Sequence, residues 1–196
     1  MAEDTPLVET ERLILRPFEA GDTEELYRLV YADPEVREAW SGYRETLEQF
    51  RRRFAEGGVW RVEDGFGFRA VILKEGGVLL GLMGFQRHQD EPGIVLVDGA
   101  RHGASDPDLV DVELTYAFGR AYWKQGYATE AGAALIAMGF DRLGIDRIIN
   151  WVDPHNANTI GLMRRLGFRI EPNRNPDDLA KSGAPSVLGI LERRAE

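Results

Sequence analysis

The run Tyr122-Trp123-Lys124-Gln125-Gly126-Tyr127-Ala128-Thr129-Glu130-Ala131 holds the residue types best suited to chemistry. A strand is expected to end just before it, and a helix rich in small residues to open within it. The first amides of a helix have no carbonyl four residues back, so several N–H groups are left to face a ligand. Together with the positive end of the helix dipole they suit an anion such as a pyrophosphate. Gly126 lets the backbone come close, and Ala128 and Ala131 keep side chains off the ligand. A plain strand–helix turn, with glycine there for conformational reasons, reads the segment equally well. Neither Gly-x-x-x-x-Gly-Lys nor Gly-x-Gly-x-x-Gly occurs, which counts against a nucleotide-binding protein.

Other chemistries fare worse. The chain has no cysteine, hence no disulfide, thiolate nucleophile or thiolate metal site. His88, His102 and His155 lack metal-ligand spacing, so no metal is expected. Ser105 sits in Gly-Ala-Ser-Asp-Pro, which is not a nucleophile elbow. The 196 residues carry 33 acidic and 24 basic side chains, a net charge of −9. That balance argues against nucleic acid as a partner. No apolar run is long enough for a membrane span, and Met-Ala-Glu-Asp-Thr-Pro is not a signal peptide, so a cytoplasmic protein is expected.

The elements that must position the loop follow from the hydrophobic pattern. Leu13–Phe18 reads as a first strand, with Pro17 at its end. Asp22 and Glu25 suggest a capping box for a helix through Leu26, Leu29 and Val30, closed by Pro34. A second helix is expected over about 45–56 with Leu47, Phe50 and Phe54 inward, stopped by Gly57-Gly58; its Arg51-Arg52-Arg53 reads as a solvated face. Two strands, 68–73 and 78–85, flank the turn 74–77, and Gly81 and Gly84 imply a bulge or a close backbone approach. Residues 86–107 read as a long excursion with one small strand at 94–97. A strand at 111–118, the helix through to Gly144, and a strand at 146–152 follow. A helix from Asn156 to Leu166 is then closed by Gly167, before strands at 168–170 and 187–191 separated by a polar loop, 171–185. One α/β (α+β) domain over 9–192 is expected, after an extension of residues 1–8.

A second segment sharpens the function. Asn156-Ala157-Asn158-Thr159 and Leu162-Met163-Arg164-Arg165-Leu166-Gly167-Phe168 follow the first run by about thirty residues. The pair resembles motifs A and B of the GNAT superfamily, whose members transfer an acetyl group from acetyl-CoA to an amine. Thr10-Glu11-Arg12-Leu13-Ile14-Leu15-Arg16-Pro17 and the Trp123–Ala131 run are similar to the ribosomal-protein-alanine N-acetyltransferase (RimJ/RimL-like) branch. The resemblance covers about residues 9–170. It implies a mostly antiparallel mixed sheet flanked by helices, with splayed central strands, Leu114–Phe118 and Asp146–Val152, forming the cofactor slot.

On this resemblance, amides of Gln125, Gly126, Tyr127, Ala128 and Thr129 would hold the CoA pyrophosphate. The strand Leu114–Phe118 would pair by main chain with the pantetheine arm, and Asn156 would bond that arm or a water, cap its own helix, or do both. Glu113 matches an acidic residue of the branch and would take the proton of an ammonium acceptor; a solvent-facing strand residue is the other reading, and Asp111 competes. Met163 would line the cofactor and stands where many relatives place a tyrosine that protonates the leaving thiolate, so Tyr116, Tyr127 or water would substitute, or no general acid is needed. Lys124 replaces a usual glycine and reads as an exposed loop cation. The implied acceptor is a primary amine: a peptide N-terminus, a polyamine or an aminoglycoside-like molecule. Dimers are common in the family, and nothing in the sequence shows one. The alternative is a non-catalytic acyl-CoA sensor of the same fold.

Overall fold

The computed structural model describes residues 7–40, 44–87, 95–97, 100–102, 112–173 and 186–193. The chain divides into two compact units, Met1–Gln86 with Thr115–Gly144, and Arg87–Leu114 with Ile145–Glu196. Ten strands and five α-helices are assigned among the described residues. Eight strands follow the hydrogen-bonded order Val8–Glu9, Leu13–Arg16, Gly67–Leu73, Val78–Arg87, Val112–Phe118, Arg147–Val152, Val187–Glu192, Arg169–Pro172, mostly antiparallel, as expected of the fold class.

In the first unit, β2 (Leu13–Arg16) buries Leu13 and Leu15 and pairs with β1 (Val8–Glu9) and β3 (Gly67–Leu73). The two-residue β1 was not expected, whereas Pro17 does end β2. The capping box expected of Asp22 and Glu25 does not form. The Asp22 carboxylate instead accepts from the Glu19 amide (2.8 Å) and from both terminal nitrogens of Arg16 (2.7 and 2.9 Å), a partner that outbids a local turn. α1 (Thr23–Leu26) runs on into a π turn, Tyr27–Tyr31, closed by the Ala32 amide on the Tyr27 carbonyl (2.9 Å).

The first helix ends before Pro34, as expected, and Pro34 also opens a further helix that was not expected. α2 (Pro34–Trp40) has proline at its first position, where the missing N–H costs nothing, and Asp33 Oδ1 accepts from the Glu35 amide (3.0 Å). α3 (Leu47–Glu56) is capped reciprocally by Thr46 and Gln49 (3.2 and 2.8 Å). Its three arginines are all partnered: Arg51 by Glu24, Arg52 by Glu48, and Arg53 by Glu45 and the Tyr31 hydroxyl. Leu26, Val30, Phe50, Trp60, Phe68 and Leu82 form the core beneath these helices.

β4 (Val78–Arg87) pairs with β3 across a bulge at Val71/Ile72. A Cβ on Gly81 would lie 2.1 Å from the Ala117 carbonyl oxygen, so the close approach expected there is real. β7 (Val112–Phe118) follows, and α4 (Tyr127–Asp141) ends three residues before Gly144. One polar group is out of keeping with this unit. Arg69 on β3 is wholly buried with one side-chain hydrogen bond, to the Gly65 carbonyl (3.1 Å), and burial pushes its guanidinium down to about 10.

In the second unit, β8 (Arg147–Val152) pairs parallel with β7 at Val112↔Ile148 and Glu113↔Ile149. Its other edge pairs along its full length with β10 (Val187–Glu192), which also carries β9 (Arg169–Pro172). Ile149, Leu188 and Ile190 are buried together there. α5 (Ala157–Arg165) ends at Gly167 (φ +92°), whose left-handed turn brings the Gly167 amide to the Arg164 carbonyl (3.1 Å) and the Phe168 amide to that of Met163 (3.0 Å). The excursion contains a small antiparallel pair, β5 (Val95–Val97) and β6 (Ala100–His102), where one strand was expected. Residues 88–94, 98–99 and 103–111, which include His88 and Asp111, and residues 174–185 of the polar loop lie outside the described residues.

Candidate functional site

α4 opens as the sequence suggests. Its N-cap is Gly126 in the left-handed region (φ +84°), no side chain caps the turn, and the first helical bond is Glu130 N–H to the Gly126 carbonyl (3.0 Å). The approach to that turn is held by side chains. The Trp123 indole donates to the Phe118 carbonyl (2.7 Å), and the Gln125 side-chain amide to the Ala121 carbonyl (2.7 Å). Lys124 is exposed and adopts φ +61°, a conformation more natural to glycine. A glycine-led helix start with a small residue at Ala128 is of the kind that suits an anionic group.

The residues behind the turn were quoted in the sequence without a role. Glu130 Oε1 accepts from the Thr10 hydroxyl (2.6 Å) and the Arg12 amide (2.9 Å), and Oε2 from Arg12 Nε (2.7 Å). Arg12 Nη2 lies 2.6 Å from Oε2, Nη1 donates to the Gln125 carbonyl (3.2 Å), and the guanidinium lies 4.6 Å from the Tyr127 ring centroid. Burial alone would raise the Glu130 carboxyl; the bonds from Thr10 and Arg12, with the charge of Arg12, outweigh it and hold the group below its ordinary value.

Along β7 burial does not simply alternate. Glu113 and Tyr116 are the two half-buried positions, and Val112, Leu114, Thr115, Ala117 and Phe118 are buried. The catalytic pair read from the sequence falls on the two half-buried positions of the strand, with the Tyr116 hydroxyl itself buried. The Leu114 carbonyl accepts from Asn150 Nδ2 (2.5 Å), just beyond the last parallel pair. Asn150 was missed by the sequence reading; an amide inside an otherwise apolar strand was its signal.

Asn156 caps α5, its Oδ1 accepting from the Thr159 amide (3.0 Å). Met163 belongs to the core. It is 1% exposed, and a Cβ on Gly189 of β10 would lie 2.4 Å from its sulfur. Among the described residues no group of three or more His, Asp or Glu could hold a metal ion, and no helix is long and apolar enough to cross a membrane. A groove lined by Phe18, Thr23, Phe54 and Trp60 contains none of the expected site residues.

Known proteins share this fold. The family model described as Acetyltransferase (GNAT) domain matches residues 12–169. The uncharacterized protein YkkB of Bacillus subtilis (strain 168) is 30% identical over 172 residues, covering 86% of this chain and 87% of that protein. A GNAT-family acetyltransferase from Bacillus anthracis superposes with a TM-score of 0.72 at 22% identity, covering 95% of this chain and 98% of that one. The structure of AAC(6')-Ib in complex with paromomycin and acetyl-CoA superposes with a TM-score of 0.63 at 18% identity, covering 93% and 94%. With a family match over most of its length, the chain belongs to the GNAT acetyltransferases.

Proposed function

We propose that the protein transfers the acetyl group of acetyl-CoA to a primary amine by direct attack in a ternary complex. The observation that carries this reading is the uncapped, glycine-led N-terminus of α4. Amides of Gln125, Gly126, Tyr127, Ala128 and Thr129 hold the pyrophosphate there, and the helix dipole favours its charge by about 0.3–1 kcal/mol, more where partly buried. Main-chain groups of β7 from Leu114 to Phe118 align the pantetheine arm. Asn156 bonds the same arm or an ordered water while capping α5.

Acetyl-CoA supplies the acetyl group as a thioester, whose carbon the amine attacks and whose thiolate leaves. Glu113 takes the proton that the ammonium must lose, directly or through water, a contribution of typically 10²–10⁴-fold. Amides of β7 polarise the carbonyl oxygen. Tyr116 or water returns a proton to the thiolate; Met163 has none to give. The net charge of −9 favours a cationic acceptor. The AAC(6')-Ib complex with paromomycin makes aminoglycoside-like amines one arm of the search, and the opening Thr10–Pro17 motif makes peptide N-termini another. A cytoplasmic protein suits all of these acceptors.

The test is release of free thiol from acetyl-CoA across amines, polyamines and peptide N-termini. Release that depends on one acceptor supports the reading and names the substrate class. Tight CoA binding with no release would favour an acyl-CoA sensor. Glu113→Gln is expected to lower kcat by about 10²-fold or more while CoA binding persists; unchanged turnover removes Glu113 from the mechanism.

A further inference from the structure

We infer that Arg12 and Glu130, with Thr10, form a clamp that sets the affinity of the α4 loop for its anionic ligand. This rests on the reading of that loop as the pyrophosphate site of acetyl-CoA. Glu130 lies in the first turn of α4, where a lone carboxylate would occupy the positive end of the dipole and repel a second anion. Arg12 cancels that charge through the two contacts with Oε2, while Thr10 and the Arg12 amide saturate Oε1. The same guanidinium reaches the Gln125 carbonyl and covers the Tyr127 ring. One side chain thus fixes positions 125, 127 and 130 around Gly126, whose left-handed turn has no side chain of its own to hold it. A rigid turn presents its amides without further ordering when the ligand arrives, which raises affinity. Lysine replaces Arg12 only in part, because a point charge lacks the planar fork and the flat face that lies over Tyr127. Arg12 and Glu130 are positioning residues: they act on the loop, and the loop on the ligand.

The test is calorimetric titration of CoA into the wild type, Arg12→Ala, Arg12→Lys and the double variant Arg12→Ala with Glu130→Gln, beside steady-state kinetics and thermal melts. Arg12→Ala, which leaves Glu130 uncompensated, is expected to weaken CoA binding and raise KM for acetyl-CoA about tenfold, with kcat at saturation within about twofold. The double variant removes the stranded charge and is expected to recover part of that loss, which an ion pair serving only the fold would not do. Arg12→Lys keeps a charge, and so guards against loss of the fold; about threefold weaker binding is expected. Wild-type affinity in all the variants, with or without lower melting temperatures, overturns the clamp. A wild type that does not bind CoA overturns the reading of the loop, and the clamp falls with it.

Discussion

Two helices of this protein each follow a strand, and their N-termini are finished in opposite ways. α5 is closed by its own sequence: Asn156 accepts from the Thr159 amide, and at the far end Gly167 returns two amides to the helix carbonyls. α4 opens on Gly126 with no side-chain cap, and its supporting contacts lie behind the turn, from Arg12 and Thr10 to Glu130. A helix whose first amides are satisfied internally stabilises the fold. α4 gives up a side-chain cap worth about 1 kcal/mol, and the proposed pyrophosphate site lies at that start. The difference teaches where to look for the ligand: at the start that the sequence could have capped and did not.

The sharpest way to break the contrast is to put a carboxylate into the open turn. Ala128→Asp adds an acid to the first turn of α4, which by itself suits the helix dipole, so the melting temperature should hold or rise. The same carboxylate would face the bound pyrophosphate. Two like charges about 5 Å apart at an effective dielectric near 20 repel by roughly 3 kcal/mol, so KM for acetyl-CoA should rise about a hundredfold. Unchanged KM would mean that the ligand's charge lies elsewhere, and the two helix starts would then not differ in function.

A smaller effect is expected where α5 packs. Gly189→Ala places a Cβ 2.4 Å from the Met163 sulfur and 3.2 Å from the Phe168 ring. Overpacking a buried site costs about 1–3 kcal/mol, read as a lower urea midpoint. Adding Met163→Ala should recover part of that loss, with a coupling of about 0.5–3 kcal/mol. Strictly additive losses would show that Met163 does not fill the space above Gly189.

What the sequence could reveal was local. Gly126, Asn156 and Gly167 announce turn and cap geometries through their own residue types, and each is where the pattern places it. Pro34 was read only as a stop: proline follows the end of one helix and serves the first turn of the next, and only Asp33 ahead of it and Glu35 behind it mark that second start. Asp22 misled because its partner, Arg16, belongs to the preceding strand. The clamp on α4 was illegible for a stronger reason: Arg12 and Glu130 stand 118 positions apart, and no local period joins them. Tyr116 and Glu113 were placed on their strand correctly, but their being its two half-buried positions depends on how β7 departs from simple alternation.

The smallest effect belongs to Asn156, and it separates cap from contact. Asn156→Ala removes the bond to the Thr159 amide and should cost about 1 kcal/mol, a fall of roughly 2–4 °C in Tm for a chain of this size. Asn156→Asp keeps a capping oxygen, so Tm should stay near wild type while the side-chain amide donor is lost. If Asn156 serves the fold alone, KM for acetyl-CoA is unchanged in the aspartate variant. If it also bonds the pantetheine arm, KM rises a few-fold in both variants, in step with a net hydrogen bond of about 0.5–1.5 kcal/mol. That second result would show a closed helix start that still takes a share of the ligand, and the contrast with α4 would become one of degree.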